Sequence, residues 1–79
     1  MENNLTRLQN VIAEQLSIDL SKVKPEADFG KDLGADSLDI VELIMAIEDE
    51  FEVDIEDSIA CQMATVQDVL IYLEKRNNS

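Results

Sequence analysis

Both glycines and the only proline of this 79-residue chain, Gly30, Gly34 and Pro25, fall inside one stretch, residues 17–36 (SIDLSKVKPEADFGKDLGAD). The rest is free of the two residues that most readily break a helix. On both sides of that stretch, apolar residues recur at steps of three and four, the spacing of one helical face. Leu5, Leu8, Ile12 and Leu16, with Val11 alongside, predict a first helix over 4–16, with Asn3 or Asn4 as its cap. A second begins at Asp36 or Ser37 and ends at Glu50 or Phe51, and a short third covers 56–62. The fourth starts at Thr65, where Thr65 and Asp68 make a capping box with aspartate in place of the usual Glu or Gln. Val66, Val69, Leu70 and Leu73 form its inner stripe, and Asn77, Asn78 and Ser79 are expected to fray. The fold class is therefore all-α: a small four-helix bundle, three main helices plus one short third helix, with a long loop between helices 1 and 2. The length suits one domain over 1–79. A loop this long is either functional or pinned down, and Leu20, Val23, Phe29 and Leu33 are the candidate pins.

The formal net charge is −12, and its distribution matters more than its sum. Arg7, Lys22, Lys24, Lys31, Lys75 and Arg76 are the basic residues, and none lies between Asp32 and Glu74. Such a field repels nucleic acid and anionic membrane and attracts basic protein surfaces. The polar start, MENNLTRLQN, lacks the apolar core of a signal peptide, and no apolar run approaches membrane-spanning length. Cys61 stands alone, so it makes no internal disulfide and no cysteine-based metal site. The expectation is a cytoplasmic monomer that neither binds nucleic acid nor inserts into a membrane.

The segment SLDIVELIMAIEDEF carries the most information. On a helical wheel with Leu38 at zero, Ile40, Leu43, Ile44, Ile47 and Phe51 fall between about 140° and 240°, a wide face for the core. Leu38, Val41 and Met45 fall apart from it, between about 300° and 360°, flanked by Glu42, Glu48 and Asp49. Apolar groups ringed by carboxylates make a protein-docking patch, unless a thick core swallows Leu38 and Met45. Ser37 sits at the edge of this face, in the first turn. There the backbone N–H groups are free and the helix dipole favours a phosphate. An ordinary helix-start serine fits the same position.

The chain has no histidine, so Ser37 belongs to no Ser-His-Asp triad, and GADSL is not the G-x-S-x-G elbow. Ser37 reads as a group that is acted upon. Glu48, Glu50, Glu52 and Asp54 alternate like the start of an EF-hand loop, but Val53 stands in the place of the turn glycine and Ile59 in that of the bidentate glutamate. A solvated acidic face accounts for them, and no metal is expected. No basic residue stands near Cys61 in sequence to activate its thiol, which leaves it a small space-filler or a half-exposed bystander.

The string DLGADSLDIVELIMAIEDEF resembles the signature of acyl carrier proteins, particularly the free-standing kind that serves dissociated fatty acid synthesis. The resemblance extends to VIAEQL in the first helix, to Asp28-Phe29 in the loop and to TVQDVLIYLE at the end. It implies that Ser37 bears 4′-phosphopantetheine, donated by coenzyme A through a phosphopantetheinyl transferase with magnesium, and that Asp36 helps that enzyme hold its metal. It further implies a non-catalytic chain that carries growing fatty acyl groups as thioesters. The docking helix would meet basic patches of the synthesis enzymes through Leu38, Asp39, Val41, Glu42, Met45, Glu48 and Asp49. Phe29, Leu43, Ile47, Ile55, Ala60 and Met63 match the positions that shelter the acyl chain. Glu56, Asp57, Ser58 and Ile59 depart from the usual opening of the third helix, which bears on its position and on the depth of the pocket. Polyketide or aminoacyl cargo is the alternative within carriers. An unmodified acidic adaptor is the alternative outside them, though an adaptor has no reason to carry the Asp-Leu-Gly-Ala-Asp approach to Ser37.

Overall fold

The structure, a computed structural model, describes residues 3–77. Helix α1 spans Asn4–Leu16, α2 Ser37–Phe51, α3 Asp57–Ala60 and α4 Val66–Asn77. The long connection between α1 and α2 holds a single 3₁₀ turn, Leu20–Lys22. Each main helix starts on a side-chain cap. Asn3 accepts the Thr6 N–H at 2.7 Å. Thr65 Oγ1 accepts the Asp68 N–H at 3.2 Å while the Asp68 carboxylate accepts from Thr65 and Ala64, which is the box expected from T-x-x-D. Of the three terminal residues expected to fray, Asn77 closes α4, and Asn78 and Ser79 lie outside the described residues.

The apolar stripes meet as their spacing requires. Leu8 and Ile12 of α1, Leu43 and Ile47 of α2, and Val66, Val69 and Leu73 of α4 are all but sealed from solvent. Leu70, expected on the inner stripe of α4, packs against this core half-buried. Phe51 closes the end of α2, and Arg7 lies over its ring at 4.5 Å from the centroid. The same guanidinium bonds the Glu50 carbonyl at 2.9 Å and its carboxylate at 3.1 Å, so α1 neutralises the negative end of α2.

Three of the four expected pins hold the long loop down. Val23 and Phe29 are buried and Leu33 is half-buried. Leu20 is not a pin: it is 49% exposed on the 3₁₀ turn. Its place is taken by Ala27, which is buried, and by Ile18, which packs against the core from just beyond α1. Backbone bonds do the rest. Phe29 N–H donates to Ala64 at 3.0 Å, Val66 N–H to Ala27 at 3.1 Å and Gln67 N–H to Pro25 at 2.8 Å. The loop is thereby stitched to the start of α4, with an isolated bridge between Asp28 and Thr65. From α1, the Gln9 amide donates to the Val23 carbonyl at 2.7 Å.

Candidate functional site

The approach to α2 is built from the core outwards. Phe29 is anchored by its buried ring and by its N–H bond to Ala64, and its carbonyl accepts the Ala35 N–H at 2.8 Å. Between them Gly34 turns the chain with φ +70°, a conformation that favours glycine. Asp36 then caps α2. Its Oδ1 accepts the Asp39 N–H at 2.9 Å, and Asp39 Oδ2 accepts the Asp36 N–H at 3.2 Å. The cap is thus Asp36 and not Ser37. Ser37 is the first helical residue, exposed, and its hydroxyl bonds to none of the described residues. The local charge is negative on both sides, from Asp36 and Asp39.

The thick-core alternative fails. Leu38, Val41 and Met45 are 66%, 56% and 62% exposed. Glu42 and Asp49 beside them are exposed as well. Asp39 and Glu48, assigned to the same face, are half-buried and hold internal bonds: Asp39 in the capping box, Glu48 to the Ile55 N–H at 2.7 Å.

An open, mostly apolar groove of about 710 Å³ runs between α2 and the α3 segment. Ser37 stands at its head, and Ile40, Val41, Ile44, Met45, Glu48, Ile55, Asp57, Ala60 and Cys61 line it. Of the six residues expected to shelter a chain, Ile55 and Ala60 are in this lining. Phe29, Leu43 and Ile47 lie behind it in the sealed core, and Met63 packs half-buried against that core. Ile40, Ile44 and Cys61 are groove residues that the sequence reading placed elsewhere. The signal was on the wheel: Ser37, Ile44, Glu48 and Val41 fall between about 240° and 300°, the seam between the inner and outer faces of α2. A seam flanked on one side by core and on the other by solvent is where a cleft forms if the neighbouring element is thin. Here that element is α3, four residues long and with none fully buried. From Ser37 to Glu48 the groove follows α2 for roughly 16 Å at 1.5 Å per residue.

Cys61 is free and exposed. Among the described residues, no three Cys, Asp or Glu side chains gather to hold a metal ion.

Residues 6–73 match the family described as phosphopantetheine attachment site. The chain is 69% identical over 75 residues to an acyl carrier protein of Phaeodactylum tricornutum (strain CCAP 1055/1), covering 95% of this chain and 99% of that protein. It is 59% identical to an acyl carrier protein of Cylindrotheca sp. (strain N1), covering 96% and 95% of the two chains. It is 55% identical to one of Bdellovibrio bacteriovorus (strain ATCC 15356 / DSM 50701 / NCIMB 9529 / HD100), covering 92% and 94%. The first of these findings defines the class, a phosphopantetheine-bearing helical domain. Taken with the relatives, it establishes that the chain belongs to the acyl carrier protein family. Its prosthetic group is 4′-phosphopantetheine, and the residues present suit it. A phosphodiester needs an exposed hydroxyl that is not committed to the fold, and a helix start favours the phosphate.

Proposed function

We propose that Ser37 bears the 4′-phosphopantetheine arm, and that the loaded chain delivers growing fatty acyl groups to the enzymes of fatty acid biosynthesis. One observation carries this reading: Ser37 is an exposed hydroxyl, relieved of capping by Asp36 and Asp39, at the head of an apolar groove. In the attachment step Ser37 Oγ attacks the β-phosphorus of coenzyme A. The new P–O bond forms as the bond to 3′,5′-ADP breaks. The serine proton leaves to a base of the phosphopantetheinyl transferase, since this chain has no histidine to take it. Asp36 spends Oδ1 on the cap, and its other oxygen is left to the transferase's magnesium. The chain is a substrate and a vehicle, not a catalyst.

The arm ends in a thiol that holds the acyl group as a thioester. A fully buried methylene gains about 0.8 kcal/mol, and the groove is open along one side, so each methylene laid in it gains part of that and the chain can still leave. Leu38, Val41 and Met45, with the free carboxylates Glu42 and Asp49, form the face that docks on basic patches of the partner enzymes. A monomer in the cytoplasm is the form proposed, and the exposed thiol of Cys61 suits such a reducing compartment.

The test is an intact mass of the chain before and after incubation with coenzyme A, magnesium and a broad-specificity transferase, with Ser37→Ala alongside. A gain of one phosphopantetheine on the wild type alone is expected. Gain on Ser37→Ala, or none on a folded and unloaded wild type, overturns the assignment. Elongation of the loaded chain by a reconstituted fatty acid synthesis system then tests the cargo.

A further inference from the structure

Glu48 gathers three backbone donors from the chain that follows α2. Its carbonyl accepts the N–H of Glu52, the left-handed residue that ends the helix, and that of Val53 at 3.1 Å. Its side-chain Oε2 accepts the N–H of Ile55 at 2.7 Å. Ile55 is buried, and α3 begins two residues later with no side-chain cap of its own. The second tie on this segment is the Tyr72 hydroxyl of α4, which donates to the Asp54 carbonyl at 3.2 Å. Both Glu48 and Ile55 line the groove, and its far wall is Asp57 and Ala60 of α3 with Cys61 just after it. A wall built on a four-residue helix, none of it fully buried, is held in place by what precedes it.

We propose that Glu48 is a positioning residue, whose carboxylate latches residues 52–56 across the groove and thereby sets how well the groove shelters an acyl chain. The inference deepens the carrier reading and rests on it for the acyl chain alone. It also divides the acidic face. Glu42 and Asp49 are free to meet a basic partner, whereas Glu48 is spoken for by the fold.

Two substitutions separate the latch from the charge. Glu48→Gln keeps an oxygen acceptor for the Ile55 N–H and removes the charge. Glu48→Ala removes both. In the unloaded chain, amide exchange at Ile55, read by NMR, should rise about ten- to a hundredfold in Glu48→Ala, the range for losing a bond to a charged group. Glu48→Gln should stay close to wild type. On chains loaded with an octanoyl thioester, hydroxylamine should cleave the Glu48→Ala form severalfold faster and the Glu48→Gln form at the wild-type rate. Circular dichroism checks that both variants are folded. The latch is overturned if Ile55 exchange is unmoved in Glu48→Ala, or if Glu48→Gln behaves like Glu48→Ala. Raised exchange with unchanged cleavage overturns its link to the groove. A wild type that takes no arm at Ser37 overturns the carrier reading and the acyl half of this inference with it, while the exchange comparison still decides the latch.

Discussion

Asp36 caps α2 and, in the function proposed above, also reaches the transferase's metal, and substitution takes the two tasks apart. The capping box consists of one bond of 2.9 Å from the Asp39 N–H and one of 3.2 Å returned to Asp39. Removing an N-cap acceptor costs about 1 kcal/mol, and in a domain of this size that lowers Tm by about 4–8 °C. Asp36→Ala should show that loss. It should also invite Ser37 to become the cap one residue later, which diverts the hydroxyl towards the backbone. Asp36→Asn keeps the acceptor. Its lost charge–dipole interaction, about 0.3–1 kcal/mol, is offset in part by relief of repulsion from Asp39. Its Tm should therefore stay nearer to wild type than to Asp36→Ala. Calorimetry reads the first task, and the rate of phosphopantetheine transfer reads the second. If the carboxylate serves the metal, Asp36→Asn is modified slowly although its helix is intact. Wild-type transfer in Asp36→Asn refutes the metal task. An unchanged Tm in Asp36→Ala refutes the capping argument.

Three other expectations concern the body of the fold and its charged face. Ile47→Ala removes a fully sealed side chain and should cost about 2–5 kcal/mol by chemical denaturation, a large share of the stability of so small a domain. The N–H bonds from Ala64, then Thr65, hold the Asp68 carboxyl below the usual aspartate value against a small opposing effect of burial. A carboxyl lowered by folding stabilises above its unfolded pKa, about 4, and loses that contribution as pH falls through the folded value, so the stability gap between wild type and Asp68→Ala should narrow below pH 4. Glu42→Lys and Asp49→Lys should each weaken capture by a basic synthesis enzyme at low salt while leaving Tm near wild type, and binding that is indifferent to both removes them from the docking face.

Helices were legible because their apolar period is local: α1 matches its predicted bounds, and α2 and α4 lie within a residue of their predicted starts. α3 is shorter than its predicted 56–62, because Cys61 and Gln62 leave the helix in a turn. Leu20 misled because an aperiodic segment gives no phase from which to tell inside from outside. Ala27 was invisible for the complementary reason, being too small to signal burial until the loop's backbone is seen laced to α4. The capping box at Thr65 was legible in four residues, whereas the Glu48–Ile55 bond joins two residues whose types say nothing of each other. Ser37 was singled out by its position and by the family's motif. The groove below it was not, because a cleft belongs to two elements at once and the wheel describes one.

The angular layout of α2 explains how so small a chain combines its tasks. Leu43 and Ile47 secure the core. Val41 and Met45 face outward beside Glu42 and Asp49. The seam between them, headed by Ser37 and closed by Glu48, faces the thin α3. The same apolar side chains, Val41 and Met45, line the groove and stand exposed on the proposed docking face. A partner that covers them therefore touches one wall of the compartment in which the chain would lie. The free energy of docking and that of sheltering the chain then share residues, and sites that share residues are coupled. Trimming Met45 to alanine should on this argument alter both partner affinity and thioester protection, whereas Glu42→Lys should alter affinity alone. Equal protection in the two variants would mean that the groove and the docking face, though contiguous, act independently.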